Sequence, residues 1–163
     1  MKRTFIAILM LFFSLPASAQ WVAGGGYAQF SDSDINLGGI YGSIGYVVHE
    51  HEGLTIMPEF RLGIGVDPDT VAGIDVELDR FLAISVRGEY ALVEDFYVYL
   101  APSYAHVDLT ASSFGFTVSE DDWEFGFGGG FGYRISEALA GELSWESFDG
   151  TDVIGLGLRY SFD

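Results

Sequence analysis

The sequence predicts an all-β protein: an eight-stranded antiparallel up-and-down transmembrane β-barrel. Three observations predict it. Apolar and polar residues alternate with period two through much of residues 54–162, the repeat of side chains on a β-strand. The apolar face is aromatic and branched aliphatic, while the other face is mostly Gly, Ala and Ser with a few Arg and Glu. A soluble sheet would turn its apolar face inward and a Lys-, Thr- and Glu-rich face to water; here the small residues suit the cramped interior of a narrow barrel and the bulky ones suit lipid. Finally, Tyr46, Tyr90 and Tyr133 recur at intervals of 44 and 43 residues, each just before a short polar turn.

Residues 1–19 read as a cleaved signal peptide. Lys2-Arg3 precede an apolar stretch from Thr4 to Leu15, Pro16 ends it, and Ala17-Ser18-Ala19 is a small-x-small cleavage pattern, with the cut expected between Ala19 and Gln20. Residues 20–163 then form one barrel domain destined for the bacterial outer membrane. No later segment holds the 18 or more consecutive apolar residues of a spanning helix.

The eight strands are expected near 21–30, 38–48, 54–66, 74–90, 96–107, 117–134, 139–148 and 152–162. In the first, Gly24-Gly25-Gly26 leaves the facing open. In the third, Leu54, Ile56, Pro58, Phe60, Leu62, Ile64 and Val66 oppose Thr55, Met57, Glu59, Arg61, Gly63 and Gly65. In the fourth, Leu78, Leu82, Ile84, Val86 and Tyr90 oppose Ala83, Ser85, Arg87 and Glu89. The sixth is the clearest: Trp123, Phe125, Phe127, Phe131 and Tyr133 on one face, Glu124, Gly126, Gly128, Gly130, Gly132 and Arg134 on the other. The seventh sets Leu139, Leu143 and Trp145 against Glu142, Ser144 and Glu146. The last sets Ile154, Leu156, Leu158, Tyr160 and Phe162 against Val153, Gly155, Gly157, Arg159 and Ser161.

Short turns are expected at His49–Gly53, Val93–Asp95 and Ser136–Glu137, with longer acidic connections at Ser31–Leu37, Asp67–Gly73, Asp108–Asp121 and Ser147–Asp152. That asymmetry is typical of outer-membrane barrels. Tyr46, Tyr90, Tyr133 and Tyr160 are assigned to an interfacial aromatic girdle.

There is no Cys, which removes disulfide and thiol chemistry. Without the leader, 5 basic side chains stand against 24 acidic ones, a net charge of −19, and no Lys remains. Such a surface repels phosphate backbones, so nucleic acid is excluded as a partner. No cofactor is called for, and a monomer is expected.

The inward-facing charges are Glu59, Arg61, Arg87, Glu89, Glu124, Arg134, Glu142, Glu146 and Arg159. Charges in a narrow interior must be paired or wet, and eight strands leave room only for side chains. A salt-bridged plug is therefore expected rather than an ion path. His49 and His51 flank Glu50 but lie on an exposed turn with no enforced geometry, so no metal site is assigned there. The acidic loops, which hold Asp32, Asp34, Asp67, Asp69, Asp75, Asp108, Glu120, Asp121 and Asp122, are expected as solvated faces, with hard divalent cations as the alternative occupants that carboxylates favour. His106, with Asp108 two residues on and Ser112 and Ser113 nearby, is the one candidate for acyl chemistry.

The stretch DDWEFGFGGGFGYRISEALAGELSWESFDGTDVIGLGLRYSF, residues 121–162, resembles the opacity-type and OmpA-like outer-membrane barrel family. There a Gly- and aromatic-rich strand runs into G-Y-R, a short turn, an E-L-x-W/Y strand and a final G-L-x-Y-x-F. The resemblance implies eight strands, a setting of lipid bilayer and lipopolysaccharide, and insertion by the outer-membrane assembly machinery. The signal that machinery reads is matched by Leu158, Tyr160 and Phe162, although Asp163 follows where the family ends on the aromatic. The expected role is a non-enzymatic barrel serving envelope integrity or surface interaction. The alternatives are adhesion to host or neighbouring cells and, in a different class, lipid A modification.

Overall fold

A computed structural model describes residues 20–33, 35–71, 73–113 and 116–162; the expected leader, Asp34 and Asp163 lie outside the described residues. The alternating segments become β1 (Trp21–Asp32), β2 (Ile35–Tyr46), β3 (His49–His51), β4 (Leu54–Asp67), β5 (Asp69–Val71), β6 (Ile74–Ala91), β7 (Phe96–Ser113), β8 (Phe116–Arg134), β9 (Leu139–Phe148) and β10 (Thr151–Phe162). Eight of them are long. β3 continues the line of β2 beyond Val47-Val48 and pairs with β4, and β5 continues β4 beyond Pro68 and pairs with β6. Pro68 has no N–H to give a ladder, which accounts for the break there.

All pairings are antiparallel, each long strand beside the next along the chain, and β1 pairs with β10 from Trp21↔Phe162 to Ser31↔Asp152. The sheet is thus a closed eight-stranded barrel, with no helix among the described residues. Closure pairs every long strand on both sides, which a bilayer demands of a spanning sheet.

The expected strand positions hold to within a few residues, but the long connections do not. Residues 108–121 were expected as a loop; strands β7 and β8 instead run on to Ser113 and back from Phe116. The cause is local: Thr and Ser face one another across this hairpin, with Thr110 Oγ1 3.2 Å from Ser119 Oγ and Ser112 Oγ 3.4 Å from Thr117 Oγ1. Such cross-strand pairs stabilise a ladder. At Ser147–Asp152 a tight turn replaces the expected loop: Asp149-Gly150, like Glu52-Gly53 in the expected short turn, has positive φ at each central residue (22°, 104° and 49°, 82°), as the two-residue turns favoured by twisted hairpins require.

Inside, the glycines of β8 make room for larger neighbours. A Cβ on Gly126 would run into the Phe148 ring, on Gly128 into the Glu146 side chain, and on Gly132 into the Tyr97 ring. In β1, Val22, Ala28 and Phe30 turn inward while Trp21 and Tyr27 face out, which resolves the facing of the Gly24-Gly26 run.

The expectation of a polar or tiny-residue lumen holds for only part of its length. Toward the end carrying the β1–β2 and β9–β10 turns, called here the far end, Phe30, Leu37, Leu78, Phe81, Phe148 and Val153 form a buried apolar cluster with Ala28, Ala83 and Ala105. Leu78, assigned to the outer face by its spacing, points inward. The register of β6 on β7 shifts between Leu78 and Arg80, and the extra residue of such a bulge reverses the facing of what precedes it. A smaller cluster of Tyr97, Tyr99, Ala101 and Ala140 lies toward the end that carries the termini.

Candidate functional site

Seven inward charges from four elements meet in the middle of the lumen: Glu59 and Arg61 on β4, Arg87 and Glu89 on β6, Glu142 and Glu146 on β9, and Arg159 on β10. Each sits at an inward position of its strand, and the registers bring them to one level. Arg61 pairs with Glu146 through both terminal nitrogens, with Nη2 2.6 Å from Oε2. Arg87 pairs with Glu142 and, through Nε at 2.5 Å, with Glu89. Arg159 pairs with Glu59 and lies 3.5 Å from Glu142 and 3.9 Å from Glu89. Arg61 Nε lies 3.8 Å from Glu59, joining the pairs into one network of three guanidinium and four carboxylate groups.

Uncharged neighbours complete it. The Tyr97 hydroxyl donates to Glu142 at 2.5 Å. The Arg87 guanidinium lies 3.3 Å above the centre of the Tyr99 ring, a cation–π contact in a desolvated site. Ser103 Oγ lies 3.4 Å from Arg61 and 3.3 Å from Glu146. The gap remaining at this level is about 20 Å³, whereas about 420 Å³ lies open toward the terminal end. Sequence reasoning missed Tyr97, Tyr99 and Ser103. Their signal was the alternation of Tyr97, Tyr99, Ala101, Ser103 and Ala105 on the inner face of β7, all of them buried.

Two sequence-assigned charges are not joined to this network. Arg134 sits at the terminal end, where Nη1 donates to the Glu94 carbonyl at 3.0 Å and the guanidinium lies 5.3 Å from the Tyr97 ring centre. Glu124 sits near the far mouth and has no ion pair among the described residues.

On the outside, Tyr90, Tyr133 and Tyr160 are about half exposed. Tyr46 packs edge-on against Trp21 at 4.9 Å, Tyr133 lies 4.9 Å from Phe96, and Tyr160 lies 4.9 Å from Phe162. Leu158, Tyr160 and Phe162 all face outward. At the other end of the outer face, Tyr104 and Trp123 stack at 5.0 Å, an aromatic pair the sequence reading did not single out.

Beside that stack His106 rests edge-on against Trp123, with Nδ1 3.1 Å from Asp108 and Nε2 3.5 Å from Asp121. Asp108 also pairs with Arg80. The Ser112 and Ser113 hydroxyls are engaged elsewhere: Ser112 bonds Thr117, and Ser113 donates to the Gly73 carbonyl. His49 and His51 are exposed on β3, ring centres 6.3 Å apart.

A closed barrel with an apolar exterior and charged interior is a membrane architecture, and comparison with known proteins agrees. A family model described as the outer membrane protein β-barrel domain matches residues 5–162. The chain belongs to this family. As an outer membrane protein β-barrel it resides in the bacterial outer membrane, which explains why so many large apolar side chains, from Ile40 to Leu158, face outward unburied. No match was found among curated proteins. Solved structures of the same fold include Ail, the attachment invasion locus protein of Yersinia pestis, in complex with the heparin analogue sucrose octasulfate (19% identity, TM-score 0.63, 88% of this chain and 99% of that one). They also include the N-terminal β-barrel domain of Pseudomonas aeruginosa OprF (18%, 0.62, 88% and 97%) and Neisserial surface protein A (13%, 0.61, 88% and 97%).

Proposed function

We propose that this outer membrane β-barrel is a non-enzymatic, sealed barrel that serves envelope integrity or surface interaction. The supporting observation is the central network: three Arg and four Glu interlocked across the lumen, with about 20 Å³ between them. A gap of that size holds about one water, too little for a continuous aqueous path. Outer-membrane barrels carry their longer connections, here drawn out as the β7–β8 hairpin, on the extracellular side. That supports placing both termini inside and the extended β7–β8 hairpin outside. Lipid and lipopolysaccharide surround the apolar belt, the assembly machinery reads Leu158, Tyr160 and Phe162, and divalent cations associate with the acidic outer end.

The Ser, His and Asp side chains near residue 106 do not assemble into a nucleophilic set, which supports the non-enzymatic reading. Attachment to a polysulfated partner, as suggested by the complex of Ail, finds no support in the charge of this chain, which repels polyanions.

Reconstitution into planar bilayers tests the sealed lumen. No steady single-channel current is expected from the native barrel, and a sustained conductance of native protein contradicts it. Incubation with lipopolysaccharide followed by mass spectrometry tests the non-enzymatic part, for which unchanged acyl chains are expected.

A further inference from the structure

Above the central network the lumen opens into a second chamber, of about 130 Å³, at the far mouth. Phe30, Leu78, Phe81, Phe148 and Val153 wall it. This lining is unusual, because the interior of such barrels is ordinarily polar. Apolar walls beneath an open mouth leave a space that water fills poorly. Its volume is close to that of buried apolar cavities of about 150 Å³ that take up one benzene.

The chamber has a floor and a rim of different character. Its floor is the Arg61–Glu146 pair, whose charges satisfy each other. Its rim carries Glu124 and Asp32. The charged groups that act on Glu124 are Asp149, Asp122 and Asp32, all acidic. The nearest rim-level guanidinium on β6, Arg80, is engaged with Asp108 on the outer face of the barrel. Among the described residues the mouth thus presents four carboxylates, none of them in an ion pair, over an apolar chamber of single-ring size.

We propose that the far-end chamber binds a small hydrophobic cation, with one ring or a short alkyl body between the Phe30, Phe81 and Phe148 side chains and an ammonium group at Glu124 and Asp32. The apolar body gains from leaving water, and the ammonium supplies the charge the rim lacks. Hydrophobic anions of the same size are excluded by that rim. The inference goes beyond the sealed-barrel reading, because the chamber ends at the central network and leads nowhere.

The test uses the whole barrel, folded in nanodiscs, with 2-phenylethylammonium, neutral 2-phenylethanol and phenylacetate as probes. The readout is the methyl NMR shifts of Ala28, Ala105 and Val153 inside the chamber, against those of Ile84 and Leu156 on the lipid face. Saturable shifts confined to the chamber methyls are expected for the cation, with half-saturation at about 1 mM. The alcohol is expected to bind about fivefold more weakly, as loss of one solvent-exposed charge pair implies, and the anion not at all. Glu124→Gln should weaken the cation toward the alcohol's level, with Asp32 still in place, while leaving the alcohol unchanged. Ala28→Leu should abolish both by filling the chamber. If Ala28→Leu does not fold, the Glu124→Gln comparison decides alone. Equal binding of cation and anion, shifts shared with the lipid-face methyls, or no saturation by the cation would each overturn the proposal.

Discussion

Arg159 and Arg134 carry the same charge on the same inner surface, yet they do different things. Arg159 is buried and faces Glu59, Glu142 and Glu89; Arg134 has one carbonyl and one ring. Removing one member of a buried pair strands the other, so Arg159→Ala should destabilise the barrel by about 3–5 kcal/mol. Arg134→Ala should destabilise it by about 1 kcal/mol, the worth of one hydrogen bond. Urea titration of barrels refolded into vesicles measures both, and equal losses would refute the distinction. Replacing Glu59 and Arg159 together by Met should lose less than Arg159→Ala alone, because no charge is then left unpaired. The sequence places both arginines indoors by alternation, but alternation reports facing and not height. Height depends on how neighbouring strands slide past one another, and that register joins Arg159 to Glu59 while leaving Arg134 at the rim.

At the scale of the strand, the turn and period signals were legible along nearly the whole chain, because a strand with one face in lipid has to alternate. Two things were not. The bulge after Leu78 inserts Asp79 into β6, and no residue type marks it from sequence alone. The far half of the lumen is apolar because Phe30, Phe81 and Phe148 fall on inward positions, where period two suggested small or polar side chains. Space for them comes from glycines on the facing strand, Gly126 beneath Phe148 and Gly63 beneath Phe81. Filling such a space is predicted to disrupt the element: Gly132→Val would collide with Tyr97 and should destabilise β8 by about 1–3 kcal/mol. The same urea titration reads it, and a neutral result would mean that Tyr97 moves aside freely.

For the molecule as a whole, the outer face must match the bilayer in depth as well as polarity. Leu156 is exposed at the middle of β10, whereas Leu92 is exposed in the β6–β7 turn. Leu156→Arg should therefore destabilise the barrel by about 2–4 kcal/mol, and Leu92→Arg by about 0–1 kcal/mol. Equal effects in vesicle refolding would place the belt elsewhere. The seam between β1 and β10 has a further consequence. Its partners, Trp21 with Phe162 through Ser31 with Asp152, come from opposite ends of the described chain. No barrel can close before residues 151–162 are made, so until then the chain has two strand edges unpaired and its aromatic face bare. Long-range closure of this kind is slow, and bare edges invite aggregation. The strong negative charge acts against that hazard, because mutual repulsion keeps open chains apart until the last strand pairs with the first.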